Sequence, residues 1–183
     1  FEDYFNSAGE KTLRAYTVAG RDVLDGFAAT EMCSGGRGQL LAPWPNRVRD
    51  GSFRFGERNL QLPHTEPERH NAIHGLVRWT GWRALERGEP WVRLGTTIHP
   101  QPGYPFTLEL AIEYALGPEA LTIRLSAVNA GAEAAPFGAG SHPYLTPRGG
   151  GADGGPLRRT ARSSLRGDGA MRPTGRTHPR PGR

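Results

Sequence analysis

A strict two-residue hydrophobic period, repeated between turn signals and with no helical counterpart, constrains this chain more than any other feature. Across residues 106–114 the apolar side chains Phe106, Leu108, Leu110, Ile112 and Tyr114 alternate with positions that include Thr107, Glu109 and Glu113. That spacing turns one face of an extended strand to a core and the other to water. Leu121-Thr122-Ile123-Arg124-Leu125-Ser126-Ala127 repeats it. Phe53 and Phe55, then Gly56-Glu57, then Leu60 and Leu62 read as a hairpin, and residues 91–98 as a further strand. No segment sustains a 3.6-residue apolar stripe through three turns. Strands recurring between Gly, Pro and Asn signals point to an all-β sandwich or barrel, whose function would sit on loops and on one sheet face.

With 183 residues, 36% of them hydrophobic, the chain can bury one real core but not two generous ones. No run approaches the roughly 18 consecutive apolar residues of a membrane span, and Phe1-Glu2-Asp3-Tyr4 lacks the basic-then-apolar layout of a secretory leader. A soluble, cytoplasmic protein without a membrane partner is the expectation. The single cysteine, Cys33, cannot form an internal disulfide. No Cys or His pairs stand at ligand spacing, so no zinc site is suggested.

The net charge of +5 invites a nucleic-acid reading until its location is examined. Residues 1–146 carry 14 Lys/Arg against 16 Asp/Glu, a balance of −2; residues 147–183 carry nine Arg against two Asp, a balance of +7. Of the 37 residues in that last stretch, 23 are Gly, Arg or Pro, too few apolar side chains remaining to offset the entropy of ordering the chain. The reading is therefore a folded domain at 1–146 and a disordered tail at 147–183. The tail is either a basic arm or, the favoured account, a GC-rich coding sequence read out of frame. No nucleic-acid partner is expected of the body.

Three short segments carry chemistry. In Leu40-Leu41-Ala42-Pro43-Trp44-Pro45-Asn46-Arg47-Val48, two prolines around a tryptophan set a rigid corner that presents Asn46 and Arg47, and a guanidinium can donate to several hydroxyl or ring oxygens at once. Asn71-Ala72-Ile73-His74-Gly75-Leu76 places a histidine before a glycine in apolar surroundings. In Gly138-Ala139-Gly140-Ser141-His142-Pro143-Tyr144, small residues allow close approach and Pro143 fixes the backbone beside His142. Taken singly, the first two are more often structural than functional, and the third is evenly poised.

Together, in this order and spacing, the three segments resemble the aldose 1-epimerase family. Gly20-Arg21-Asp22-Val23-Leu24, Gly36-Arg37-Gly38-Gln39, Asp50-Gly51-Ser52-Phe53 and Pro102-Gly103-Tyr104-Pro105-Phe106 agree, so that the resemblance covers residues 9–146. It implies a galactose-mutarotase-like β-sandwich, a supersandwich that is incomplete in this chain, and cofactor-free interconversion of the α and β anomers of a free aldose such as glucose or galactose. Ring opening needs a base at the anomeric hydroxyl and an acid at the ring oxygen, and a histidine titrating near neutrality suits the acid. The resemblance assigns that acid to His142, makes His74 a catalytic and sugar-contacting group, and gives sugar contacts to Arg47; Asn46 counts with the sugar-binding residues, chiefly by shaping the turn. Trp44, Trp79, Trp82 and Trp91 are as fit for a core as for stacking on a sugar.

The resemblance also implies a binding Asp and a catalytic Glu well downstream of His142, and no residue here matches them, although Asp168 to Gly175, with Pro173-Thr174-Gly175, faintly resembles the family's segment before the binding Asp. The expectation is a C-terminally truncated member lacking its base. Glu31, Glu66 and Glu113 match no base; Glu66 and Glu68 read as a solvated loop, Arg21 and Asp22 as a turn, and His64, His70, His99 and His178 as solvated or structural. The alternative function is a non-catalytic carbohydrate-binding β-sandwich, and a nucleic-acid-binding protein using the tail is more distant.

Overall fold

The computed structural model describes residues 12–146 and, as backbone alone, residues 170–171. The proposed tail at 147–183 thus lies almost wholly outside the described residues, as does His178. What is described is nearly all β: β1 Thr17–Val18, β2 Arg21–Asp22, β3 Leu40–Leu41, β4 Arg47–Arg49, β5 Ser52–Phe55, β6 Arg58–Gln61, β7 Asn71–Ile73, β8 Arg83–Gly88, β9 Trp91–Ile98, β10 Leu108–Leu116, β11 Leu121–Asn129, β12 Ala135–Pro136, β13 Gly140–Ser141 and β14 Ala170–Met171, with one 3-10 turn at Pro67–Arg69. No helix among the described residues is long and apolar enough to cross a membrane.

The centre is an antiparallel four-stranded sheet in the order β11-β10-β9-β8. Its core face follows from the alternation in β10: Leu108, Leu110, Ile112 and Tyr114 are all buried, and in register Leu108 meets Ile98, Ile112 meets Leu94 and Tyr114 meets Val92. These cross-strand pairs stack apolar side chains about 5 Å apart, the unit of sheet stabilisation. Phe106 is buried just ahead of β10 and meets Phe55 and Tyr104 edge-on, which ties the predicted hairpin β5/β6 to the sheet. That hairpin forms with Phe53 opposite Leu60.

Two expectations change. In β11 the alternation holds as sequence but not as burial: Ile123 is 43% exposed, because β11 is the outer strand of its sheet and has a neighbour on one side only. Arg21 and Asp22 form β2, paired with β1, and the turn falls one step earlier at Ala19 and Gly20, both at positive φ.

Away from the sheet, short ladders do the positioning. β4 pairs β7 with Arg47 opposite Ile73, and β13 pairs β3 with Gly140 opposite Leu41. These two ladders bring together three motifs that lie far apart along the chain.

Candidate functional site

The corner before Arg47 and the His74-Gly75 turn are built against each other. Gly75 has φ +75°, and a Cβ there would stand 2.1 Å from the Ala42 carbonyl oxygen. Only glycine permits both that backbone conformation and that approach. The approach lets the Leu76 N–H donate to the Ala42 carbonyl at 2.7 Å. Asn46 and His74 both adopt left-handed backbone, φ +64° and +63°, which asparagine tolerates better than most residues. Their backbones join where the His74 N–H donates to the Asn46 carbonyl at 2.9 Å, and the Asn46 N–H donates to His74 Nδ1 at 3.0 Å.

That second bond decides the chemistry of His74. A ring nitrogen that accepts a backbone N–H carries no proton, so a neutral imidazole here has its proton on Nε2. Burial lowers the pKa of His74, and the positive charge of Arg78 lowers it further, so the neutral form is favoured. The ring of His142 stands edge-on to it, centroids 5.5 Å apart.

His142 is held from both sides of its backbone. Its N–H donates to the Gln39 carbonyl at 3.0 Å, and its carbonyl accepts from the Gly38 N–H at 2.9 Å. Its imidazole stacks on Tyr144, centroids 5.2 Å apart and planes 15° apart, and the guanidinium of Arg37 covers the Tyr144 ring at 4.7 Å. Asp25 in turn receives two N–H groups from Arg37, at 2.9 and 3.1 Å. The Tyr144 hydroxyl donates to the Gly35 carbonyl.

Arg47 donates two parallel hydrogen bonds to Glu66, 2.6 Å from Nε to Oε2 and 2.7 Å from Nη2 to Oε1. This corrects the reading of Glu66 as part of a solvated loop, whereas Glu68 is exposed. Residues Pro67–Arg69 form a 3-10 turn, an isolated bridge joins Glu66 to Asn71, and both glutamates line the cavity described next. Arg47 holds the Glu66 carboxyl well down, to about 2, with the Asn71 side-chain amide adding a third donor.

Arg47, Asn46, His74 and His142 all line one cavity of about 590 Å³, with Gly35, Thr65, Glu66, Glu68, Ile73 and Arg78 completing its wall. All four residues singled out in the sequence therefore meet at one place. His64 and His70 pair edge-on with each other outside it, and His99 is also elsewhere. None of the four tryptophans lines it: Trp82 is buried, and Trp79 is 46% exposed. The cavity residues missed were Glu66, Glu68, Thr65 and Arg78. Arg78 follows His74 by four positions, and that proximity was the one signal available for it. Among the described residues no group of three or more His, Cys, Asp or Glu side chains could hold a metal ion.

Residues 12–183 match the sequence pattern of the aldose 1-epimerase family. The chain belongs to that family. The Escherichia coli K12 protein YihR is 40% identical over 110 residues, 60% of this chain and 36% of that protein. A second protein of the same organism, YphB, is 35% identical over 107 residues, 57% of this chain and 35% of YphB. Among solved structures, a GalM/aldose epimerase homologue from C. elegans superposes with a TM-score of 0.63 at 15% identity, covering 76% of this chain and 46% of that one. The galactose 1-epimerase of Lactobacillus acidophilus NCFM gives 0.59 at 24% identity, covering 75% and 43%. These likenesses show the galactose-mutarotase-like fold. The matched stretch spans about a third of the two curated relatives and less than half of the two solved chains.

Proposed function

We propose that the cavity binds a free aldose and serves the interconversion of its α and β anomers. The observation that supports this reading best is the His74–His142 pair. Two imidazoles lie edge-on in one sugar-sized cavity, one fixed as an Nε2–H donor by the Asn46 backbone, beside a guanidinium.

In the proposed reaction His142 donates a proton to the ring oxygen as the C1–O5 bond breaks, and a base takes the proton of the anomeric hydroxyl as C1 becomes a carbonyl. Rotation about C1–C2 and readdition of O5 to the other face return both protons and invert the anomeric centre. His74 and Arg47 hold the sugar around its ring oxygen and adjacent hydroxyls, and Asn46 holds His74. An acid that acts only as O5 gains its proton contributes mainly to the transition state. Glu66 is a poor choice of base, because a carboxyl held near 2 by Arg47 has too little proton affinity at neutral pH. The base is sought downstream of His142, where the family resemblance implies a glutamate that no residue of this chain matches.

The test is polarimetry on freshly dissolved α-D-glucose and α-D-galactose, using this chain and a form extended to the length of the solved relatives, of which it covers less than half. The expected result is acceleration by the extended form, lost by about 10²- to 10⁴-fold in His142→Asn with sugar binding retained. Sugar binding without acceleration in either form would replace this reading with a non-catalytic carbohydrate-binding sandwich.

A further inference from the structure

Among the described residues, Arg78 differs from the other arginine of the cavity in having no ion-pair partner. Arg47 is neutralised by two short bonds to Glu66. Arg78 takes part in no ion pair among the described residues, although its charge is felt at His74, whose pKa it lowers after burial has done so.

What Arg78 has instead is a fixed mount. Gln39 is fully buried, and the two residues bond reciprocally: Arg78 Nε donates to Gln39 Oε1 at 2.7 Å, and Gln39 Nε2 donates to the Arg78 carbonyl at 3.2 Å. Gln39 is also the residue whose carbonyl receives the His142 N–H. One buried glutamine thus sets both a wall arginine and the proposed acid in a common frame. The Arg78 guanidinium lies 5.5 Å from the ring centre of Trp79, which borders its other side. A guanidinium has five N–H donors. Gln39 uses the one on Nε, and the four on the two Nη atoms have no hydrogen-bond partner among the described residues.

A cation-bearing fork whose stem is locked and whose tips are unspent, in the wall of a 590 Å³ cavity, is preorganised for oxygen acceptors. We infer that Arg78 is a further sugar-contacting and specificity-determining residue, donating through its Nη groups to a hydroxyl oxygen of the aldose, with Gln39 as its positioning residue. The inference rests on the proposed sugar-binding function and adds to it the residue that selects among aldoses.

The test uses the full chain, with D-glucose, D-galactose and the monodeoxyglucoses titrated while the His74 and His142 ring signals are followed by NMR. Arg78→Met is expected to weaken binding about tenfold, the loss of one charge-assisted hydrogen bond. In the unaltered chain one monodeoxyglucose should bind more weakly than glucose, and in Arg78→Met that same pair should bind alike, an equalisation that a merely structural role would not produce. Arg78→Lys, which keeps the charge but not the fork or the Gln39 bond, should recover less than half of the lost affinity, and it supplies the comparison should Arg78→Met fail to fold. Binding by the folded variant within twofold of the unaltered chain, or a deoxy-sugar difference that persists in it, overturns the inference while leaving the proposed function standing. Should the unaltered chain bind none of these sugars, the same titrations are run on the extended form, and failure there as well overturns both.

Discussion

Asn46 and His74 are joined by two hydrogen bonds across a 28-residue separation: the Asn46 N–H donates to His74 Nδ1 at 3.0 Å, and the His74 N–H donates to the Asn46 carbonyl at 2.9 Å. Both residues sit at positive φ, so the backbone that costs each of them conformational energy is the same backbone that selects the imidazole tautomer. Such strain, where it coincides with a functional group, is part of how a site is held ready.

The first prediction concerns that strain. Asn46→Gly should leave stability nearly unchanged, because glycine adopts φ +64° freely and keeps the N–H that binds His74. Asn46→Val should destabilise by about 1–2 kcal/mol, the steric penalty of a branched residue in left-handed backbone. Urea unfolding of the two variants measures the difference.

At Gly75 the margin is smaller. An alanine Cβ would meet the Ala42 carbonyl oxygen at 2.1 Å with φ at +75°, and the neighbour is backbone that cannot turn aside. Gly75→Ala should therefore cost more than about 2 kcal/mol, combining overpacking with left-handed strain, and should disorder the His74 ring signals. Unfolding and an NMR spectrum of the histidine ring protons together check it.

How much of this was legible can be argued from particular residues. The β10 pattern and the Phe53 to Leu60 hairpin were readable because each side chain's fate depends on a local two-residue period. Arg47, His74 and His142 were found as motifs, and β4/β7 and β3/β13, ladders of two or three residues, carry them to one cavity. Ladders that short have no period to read. Glu66 escaped for the same reason. Its partner Arg47 lies 19 residues away, and nothing in a Pro-rich stretch with two glutamates announces which one will meet a guanidinium. Burial of Ile123 was overestimated because alternation marks a face but not what covers it.

The lowered pKa values give a dependence on pH whose sign can be worked out. Glu66 is held at about 2 in the folded chain against about 4.3 when unfolded, so its pairing contributes stability that is present above the unfolded value and is lost as pH falls through about 4 toward 2. His74 is also lowered, and its contribution is likewise present above about 6.5 and lost as pH falls below it. The stability difference between the unaltered chain and His74→Gln should thus shrink first, as pH falls below about 6.5, and the difference from Glu66→Gln should shrink only below about pH 4. Denaturation midpoints taken at half-unit steps of pH would show two separate windows; a single shared window would contradict the assignment.

The stack of Arg37, Tyr144 and His142 supports the last prediction, because it contains one contact that can be removed and restored. A Cβ at Gly35 would stand 2.8 Å from the Tyr144 hydroxyl, and the next atom of that ring is 3.6 Å away. Gly35→Ala should therefore push Tyr144 off His142 and, if His142 is the acid, lower turnover in a catalytically competent form more than it weakens sugar binding. Tyr144→Phe alone gives up the bond from the hydroxyl to the Gly35 carbonyl at 3.2 Å but keeps the ring against His142, so turnover should fall little. The double variant should recover most of the activity lost by Gly35→Ala, because the remaining ring contact is an ordinary one. It should not recover the stability fully, since alanine at φ +61° still costs about 1–2 kcal/mol. A double-mutant cycle in turnover and in unfolding free energy separates the two effects. Additive losses of turnover would show that the orientation of Tyr144 has no bearing on His142.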